Sequence, residues 1–164
     1  MRISRTDVAV HDLIQDFSRV DVGVLIDRLA RSAAVVTAAG YAGFVQVDPL
    51  QELARSVALH GPPGDPLRVR AWLAESGVLK ELAVCRGAVL LARDVPVGEP
   101  GFLAVPVPLA TREQAFLWTA GRDFDDFDTH LLGRFATAAG RALEAASGME
   151  AAVRLLRGVQ AFAP

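Results

Sequence analysis

Cysteine is almost absent from this 164-residue sequence, in which Cys85 is the single thiol. One thiol can form neither an internal disulfide bond nor a cysteine-based zinc site. An excess of positive charge is missing as well, because 17 lysine and arginine residues stand against 19 acidic ones and give a formal net charge of -2. Nucleic-acid-binding proteins usually carry a basic face, so this balance argues against that class.

Long apolar runs are also lacking. The longest uncharged stretch covers residues 32–47, and glycine and polar residues interrupt it. A membrane-spanning helix needs about 20 apolar residues, so none is predicted. Asp7 and Asp12 stand where the apolar region of a signal peptide would lie. We therefore expect a cytoplasmic protein without a membrane partner.

Motifs for catalysis or metal binding are missing too. The sequence contains no G-x-S-x-G elbow, no P-loop and no G-x-G-x-x-G motif. His11, His60 and His130 lie far apart, and none has a metal ligand three or four residues later. The acidic run over residues 123–128 lacks the central glycine of a calcium loop and is typical of a helix N-terminus. We predict a non-enzymatic protein without a metal or a cofactor.

The chain does contain enough apolar residues, 52% of the total, for one compact domain. Apolar residues recur every three or four positions in some segments and alternate in others, which distinguishes helices from strands. The predicted helices cover residues 7–19, 22–39, 67–76, 78–86 and 125–146, with a last helical turn after 148; the predicted strands cover 41–48, 53–60, 88–92, 102–109 and 114–120.

Three local features refine this prediction. Pro106 and Pro108 cannot donate to a β-ladder, so their strand should be bulged or lie partly at an edge of the sheet. Asp125 is the predicted N-cap of the long C-terminal helix, with Asp128 as its capping-box partner. The Ser147–Gly148 pair is expected to break that helix.

The order of these elements predicts an α+β fold, with a mostly antiparallel sheet between helices at both ends of the chain. We expect an N-terminal helical extension over residues 1–20, the domain itself over residues 21–147, and a C-terminal helical extension over residues 148–164.

Most of this chain, from about Val22 to about Ala146, resembles a GAF domain. An amphipathic helix runs into the strand AGYAGFVQVDP; residues 102–107 (FLAVPV) are similar to the family's (F/S)xxVPL strand; residues 124–132 (FDDFDTHLL) look like its FxxxDxxLL helix start. The resemblance implies a central antiparallel sheet with the terminal helices on one face, where they often build dimers. It places short helices and loops over a pocket on the other face.

The resemblance also implies a range of ligands, since family members bind cyclic nucleotides, haem, bilins or other small molecules, and some have no known ligand. This chain lacks a histidine over residues 95–101, where haem-binding members supply an iron ligand. Residues 120–123 read Ala-Gly-Arg-Asp where cyclic-nucleotide members carry an Asn-Lys pair. A methionine-sulfoxide reductase of this fold class uses more than one cysteine.

A small-molecule site is predicted on the pocket face. Alternation places Phe116 and Trp118 together on one side of the last strand, toward the short helices. An apolar cavity with a few polar groups is the usual form of a ligand site. The alternative is that the aromatic residues simply fill the space as core. The predicted ligand-binding residues are Phe44, Gln46, His60, Trp72, Cys85, Phe116 and Trp118.

A homodimer interface is predicted on the terminal helices, because their apolar residues recur at spacings of four and three. The alternative is that these residues pack only on the sheet of their own chain. The predicted interface residues are Leu13, Phe17, Phe135, Ala139, Ala142, Met149, Val153 and Leu156.

Together these patterns predict a sensory or signalling module that binds a small molecule and dimerises through its terminal helices. The alternative from another class is a ligand-free interaction and dimerisation module of a regulatory system, with a protein partner for its output. A redox enzyme that uses Cys85 is the third possibility.

Overall fold

The computed structural model describes residues 22–111 and 113–161, without the side chains of residues 160 and 161. The predicted helix over residues 7–19 lies outside this range. The helices and strands of the described residues are, in chain order, α1 (Val22–Val36), β1 (Tyr41–Asp48), β2 (Leu53–His60), α2 (Val69–Glu75), α3 (Val78–Val84), β3 (Val89–Asp94), a 3-10 turn (Val95–Val97), β4 (Glu99–Pro106), β5 (Gln114–Ala120) and α4 (Asp126–Ala161).

The five strands form one antiparallel sheet in the order β2-β1-β5-β4-β3. The predicted α+β architecture is therefore confirmed, and β1, β2 and β5 have the predicted bounds. Strand β5 lies in the middle of the sheet, and all its residues except Gln114 are buried. The residues of β5 therefore contribute to the buried core on both faces of the sheet.

One face of the sheet packs against the two long helices. Leu103 and Leu117 of the sheet lie in the same buried cluster as Leu132 and Ala136 of α4. Small residues on the helices allow a close approach. Gly140 shows this most directly, because a Cβ atom there would collide with the carbonyl oxygen of Pro108.

The other face is covered by the two short helices, α2 and α3. Phe102, Phe116 and Trp118 of the sheet form a second buried cluster with Trp72 and Leu82 of these helices. Phe116 and Trp118 therefore lie on the predicted face. The two clusters make a three-layer arrangement of long helices, sheet and short helices.

Trp118 lies directly over Gly43, its partner in the pairing of β5 with β1. A Cβ atom on Gly43 would collide with the Trp118 ring and would stand 2.5 Å from the carbonyl oxygen of Ala58. A glycine inside a strand often marks such a close approach. The indole can lie flat against the sheet because position 43 has no side chain.

Strand β4 lies between β5 and β3 in the sheet, but at Pro106 it is partly an edge strand, as predicted. Val107 donates its N–H to Ala115 on β5, so the alternation of the strand points position 106 toward β3. The pairing with β3 has already ended at Val89, opposite Ala104. Pro106 therefore stands where no ladder partner needs an N–H group.

Helix α4 is continuous over its 36 residues, which corrects the predicted break at Ser147–Gly148. Its start follows the prediction. Asp125 accepts from the Asp128 N–H at 3.0 Å, and Asp128 accepts from the Asp125 N–H at 2.9 Å, which makes a reciprocal capping box. At about 1.5 Å per residue, α4 is about 54 Å long and extends past the sheet. Within the described ranges, no helix has the length and apolar character to cross a membrane.

Replacing Gly43 with alanine tests the contact with Trp118. Because the new methyl group must displace the indole or the strand, we expect Gly43→Ala to lower the free energy of unfolding by about 1–3 kcal/mol in urea denaturation. Gly133→Ala is the matched control. A Cβ atom at this helical position meets nothing within 4 Å, so the change should be neutral or stabilise by up to about 1 kcal/mol. Equal stability of Gly43→Ala and the wild type would contradict the packing described here.

Candidate functional site

The space beneath α2 and α3, where a pocket is predicted, is occupied by aromatic side chains. Trp118 and Phe102 are both 0% exposed. Their rings are stacked, with centroids 5.6 Å apart and an interplanar angle of 29°. Trp72 of α2 lies on Phe102 with centroids 5.1 Å apart and the rings tilted by 50°. These three side chains are called the aromatic stack below.

The two indole N–H groups of the aromatic stack differ in their hydrogen bonding. Trp72 Nε1 donates to Glu99 Oε2 at 2.9 Å and so ties α2 to the first residue of β4. Trp118 Nε1 is buried and meets no acceptor within the described part of the chain. A buried donor without a partner costs about 1–3 kcal/mol, so it is a place where a ligand acceptor would be favoured.

The loop before α2 is fixed by Tyr41 and Asp65. Tyr41 Oη accepts from the Leu67 N–H at 3.1 Å, and Asp65 accepts from the N–H groups of Val69 and Arg70 at 2.9 and 3.0 Å. Burial raises the pKa of Tyr41. Burial also acts on Asp65, but the N–H groups of Arg70 and Val69 outweigh it and lower the pKa of this carboxyl group. The lid of short helices is therefore held to β1.

The structure divides the seven predicted ligand-binding residues between the two faces of the sheet. Trp72, Phe116 and Trp118 lie in the core beneath the short helices, and Cys85 packs at its margin. Phe44 is buried on the opposite face, among the residues that contact the long helices.

Gln46 and His60 lie on the same face as Phe44. His60 pairs with Ala42, a residue of the helix-side core, and Gln46 is two residues from Phe44 on the same strand. The predicted grouping of Phe44 with Gln46 is right, but its assignment to the pocket face is corrected. Gly43 and Val45 are the residues of β1 that face Trp118.

The remaining chemical candidates are isolated from one another. Cys85 is half-buried, and its Sγ donates to the Gly87 carbonyl oxygen at 3.3 Å. No group of three or more histidine, cysteine, aspartate or glutamate side chains that could hold a metal ion is found among residues 22–111 and 113–161.

Arg122 joins the ends of the two long helices, a role that the sequence analysis missed. Its Nε and Nη2 donate to the Thr37 carbonyl oxygen, just after α1, at 2.9 and 2.7 Å. Nη2 also donates to Asp128 Oδ1 in the first turn of α4 at 2.6 Å. The guanidinium group lies 4.6 Å from the centre of the Phe124 ring. Because Arg122 directly follows Gly121 at the end of β5, one side chain connects the sheet to both helices.

This contact also sets the ionisation of Asp128. Burial would raise the pKa of the carboxyl group, but the hydrogen bond from Arg122, the Asp125 N–H and the Arg122 charge outweigh burial and hold the pKa below its ordinary value. Asp128 is therefore a carboxylate engaged by Arg122 and by the start of the helix.

The predicted dimer-interface residues fall into four groups. Ala139 and Val153 are buried, with 1% and 5% of their surface exposed. Phe135 and Ala142 are half-buried, and Met149 and Leu156 are exposed. Leu13 and Phe17 lie outside the described residues. Ala139 and Val153 therefore cannot serve a second chain while this packing persists, which corrects those two assignments.

A line of α4 that shares Phe135, Ala142, Met149 and Leu156 with the predicted interface is accessible along the helix. It has the same alternating spacing of four and three residues, is apolar throughout, and contains no buried residue. A line of this kind can pair with another helix in coiled-coil fashion. We call it the α4 seam; its residues are Leu131, Phe135, Ala138, Ala142, Ala145, Met149, Ala152, Leu156 and Val159.

Solved structures with the same fold are GAF domains. The GAF domain of a protein described as a sensor histidine kinase from Pseudomonas syringae pv. tomato shares 18% identity, with 88% of this chain and 89% of that chain covered and a TM-score of 0.57. The second GAF domain of DevS from Mycobacterium smegmatis shares 17% identity, covering 78% and 96% of the two chains, with a TM-score of 0.55.

An enzyme also has this fold. Free methionine-R-sulfoxide reductase from Neisseria meningitidis, solved in complex with its substrate, shares 16% identity, with 90% and 96% coverage and a TM-score of 0.53. No protein-family profile and no curated protein matches this sequence. At these identities the comparisons establish the fold, and they confirm the GAF-like architecture that the sequence predicts.

Removing the charge of Asp128 tests the junction of the two helices. Asp128→Asn should lower the free energy of unfolding by about 1–3 kcal/mol at pH 7, because Arg122 loses its ionic partner and the capping box is weakened. A lowered folded-state pKa contributes stability that is present above the unfolded pKa, about 3.9, and is lost as the pH falls through the folded value. The difference between wild type and variant should therefore shrink in acid.

Urea denaturation at a series of pH values measures this difference. Asp126→Asn is the control, because Asp126 is an exposed carboxylate in the same helical turn. It should change stability by less than about 1 kcal/mol. Equal stability of Asp128→Asn and wild type at neutral pH would show that Arg122 does not depend on this carboxylate.

Proposed function

We propose that this chain, which has the fold of GAF domains, is a non-enzymatic regulatory module that forms a homodimer through the α4 seam. In this proposal the space beneath α2 and α3 is core and holds no ligand, so the interaction module is favoured over the small-molecule sensor. The output would be carried by a protein partner that contacts the helices.

The aromatic stack is the observation that carries this choice. A ligand beneath α2 and α3 would have to displace Trp118 or Trp72, and each aromatic side chain buries about 150–250 Å². At about 25 cal/mol per Å², exposing one of them costs roughly 4–6 kcal/mol before any contact with a ligand is made. The Trp72–Glu99 hydrogen bond would also have to break if α2 moved.

The α4 seam supports self-association. Met149 is 44% exposed, Leu156 47% and Val159 68%. Exposed apolar residues at regular spacing on one helix are costly in water and become favourable when an identical helix covers them. The alanines between them let the two backbones approach closely. Because Arg122 holds the start of α4 to the sheet, the direction in which the seam points is set by the domain.

The lack of a metal-ligand group among residues 22–111 and 113–161 and the isolation of Cys85 support a non-enzymatic role. Cys85 is the only thiol in the sequence. Its sulfur is directed at the Gly87 carbonyl oxygen. A redox cycle that ends in a disulfide bond needs a second thiol, which this chain cannot supply to itself. The likeness to a reductase is therefore limited to the fold, and the single thiol of this chain does not support disulfide redox chemistry.

The sensor remains the second candidate, favoured by the Trp118 indole N–H. This buried donor has no acceptor among the described residues, and a ligand that offered an oxygen there would satisfy it. Such a ligand must alter the emission of Trp118 or raise the melting temperature. A compound that has either effect on the wild type and no effect on Trp118→Phe would favour the small-molecule sensor over the ligand-free module.

A charge placed in the α4 seam tests the dimer. Leu156→Glu should convert the dimer to a monomer in sedimentation velocity, because two carboxylates would be brought together in an apolar contact. Ala151→Glu is the control, since this exposed residue of α4 lies outside the seam. It should leave the dimer unchanged. A wild-type monomer, or a Leu156→Glu variant that remains dimeric, would contradict the proposal.

A further inference from the structure

Helices α1 and α4 run in opposite directions on the sheet. At one end, Arg122 binds both the Thr37 carbonyl oxygen, just after α1, and Asp128 in the first turn of α4. At the other end, the first turns of α1 and residues 147–148 of α4 line the same groove. The chain that precedes Val22 therefore enters α1 from the end at which α4 continues past the sheet.

The part of α4 beyond this groove contains a buried apolar residue. Val153 lies five residues after Gly148 and is only 5% exposed in the single chain. Neither of the two buried clusters around the sheet includes it. An apolar side chain on a helix is buried where another segment packs over it. The cover of Val153 must therefore come from the same chain, on the side of α4 adjacent to the seam.

We propose that residues 7–19, which lie outside the described part of the chain and are predicted to be helical, pack antiparallel on residues 149–161 of the same chain and cover Val153. The lengths agree, because each segment has 13 residues and corresponds to about 20 Å of helix. Residues 20 and 21 alone separate the segment from α1, so it can continue along the direction of α1 without a reversal of the chain.

The apolar residues of the segment fit this surface. They recur at helical spacing and form one stripe, which consists of Val10, Leu13, Ile14 and Phe17. Phe17 lies five residues before Val22, the first described residue of α1. Val153 lies at the same distance after Gly148, so antiparallel pairing brings Phe17 opposite Val153. Leu13 and Phe17, predicted as dimer-interface residues, would then be buried within one chain.

The charges of the two segments are complementary in this orientation. Arg19 falls near the start of the projecting part of α4, where Glu150 is exposed and pairs with Arg154. Asp12 falls farther along, opposite the turn that carries the exposed Arg157. A parallel arrangement would instead bring like charges together. Exposed ion pairs contribute little to stability, so these charges favour an orientation, and the apolar stripe supplies the contact.

The docked segment gives the projecting end of α4 a second helix beside it and leaves the α4 seam open for another copy. The α4 seam does not include Val153, so the two contacts use different sides of one helix. The inference concerns a contact within one chain and does not depend on the proposed dimer.

Photo-crosslinking from position 17 of the full chain tests the contact. Phe17→p-benzoylphenylalanine forms covalent bonds to neighbouring C–H groups on irradiation, and mass spectrometry maps the linked peptides. Chains labelled with 14N and 15N are mixed and refolded together, so that links within a chain differ in mass from links between chains. We expect links to residues 149–157 that join peptides of the same isotope. Gln15→p-benzoylphenylalanine is the control, because position 15 lies on the opposite side of the predicted helix and should link weakly to this region.

Hydrogen exchange tests the same contact without a crosslinker. Phe17→Asp should speed up exchange of the amides of residues 150–159 by about tenfold or more, while the amides of β5 stay protected. Val153→Asp should have a similar effect, and the double variant should exchange no faster than either single variant, since both changes remove one contact. Gln15→Asp is the matched control and should exchange like the wild type.

Links that join chains of different isotope, equal linking from positions 15 and 17, or unchanged exchange in Phe17→Asp would each overturn the proposal. Sedimentation of the same samples separates it from the proposed dimer. A monomeric wild type with links within the chain would contradict the proposed function and leave the docked segment in place. A dimer in which position 17 links to the other chain would overturn the docked segment and leave the dimer in place.

Discussion

The indole of Trp118 lies against the backbone of Gly43, and the short-helix side of the molecule depends on this contact. Because position 43 has no side chain, the ring can lie flat on the centre of the sheet. Phe102 then stacks on Trp118, and Trp72 closes the arrangement from α2. The two short helices α2 and α3 therefore rest on a continuous aromatic layer.

The other side of the sheet is organised by a different constraint. Arg122 links the carbonyl group that follows α1 to the first turn of α4, and it does so from the end of β5, the strand that also carries Trp118. The aromatic core and the long helices thus meet on one strand.

Local patterns predicted much of this structure. The bounds of β1, β2 and β5 follow from alternation between strong turn signals, whereas β3 and β4 are displaced from their predicted ranges. The capping box of Asp125 and Asp128 could be predicted because both partners lie within one helical turn. Arg122 was missed because its main acceptor, the Thr37 carbonyl oxygen, is 85 residues away in sequence and carries no side-chain signal. The role of Gly43 was missed for the same reason, because it leaves space for the ring of Trp118, a residue far away in the sequence.

The assignments to faces were predicted less well. Alternation shows that Phe44 and Gln46 share a face, but the register between β1 and β5 decides which face it is. On α4, the predicted line and the α4 seam share every second residue and differ by one position at the others, where Ala139 is buried and Ala138 is exposed. Periodicity cannot distinguish such lines, because the difference arises from packing between elements.

Native mass spectrometry of the purified full chain, without added ligand, tests the central claim most directly, because it reports the subunit count and any retained small molecule together. We predict a dimer with no mass beyond that of two chains, because the proposal treats the aromatic stack beneath α2 and α3 as core and pairs two chains through the α4 seam. A bare monomer would contradict the self-association. A retained compound that is lost when Trp118 is replaced by phenylalanine would contradict the filled core.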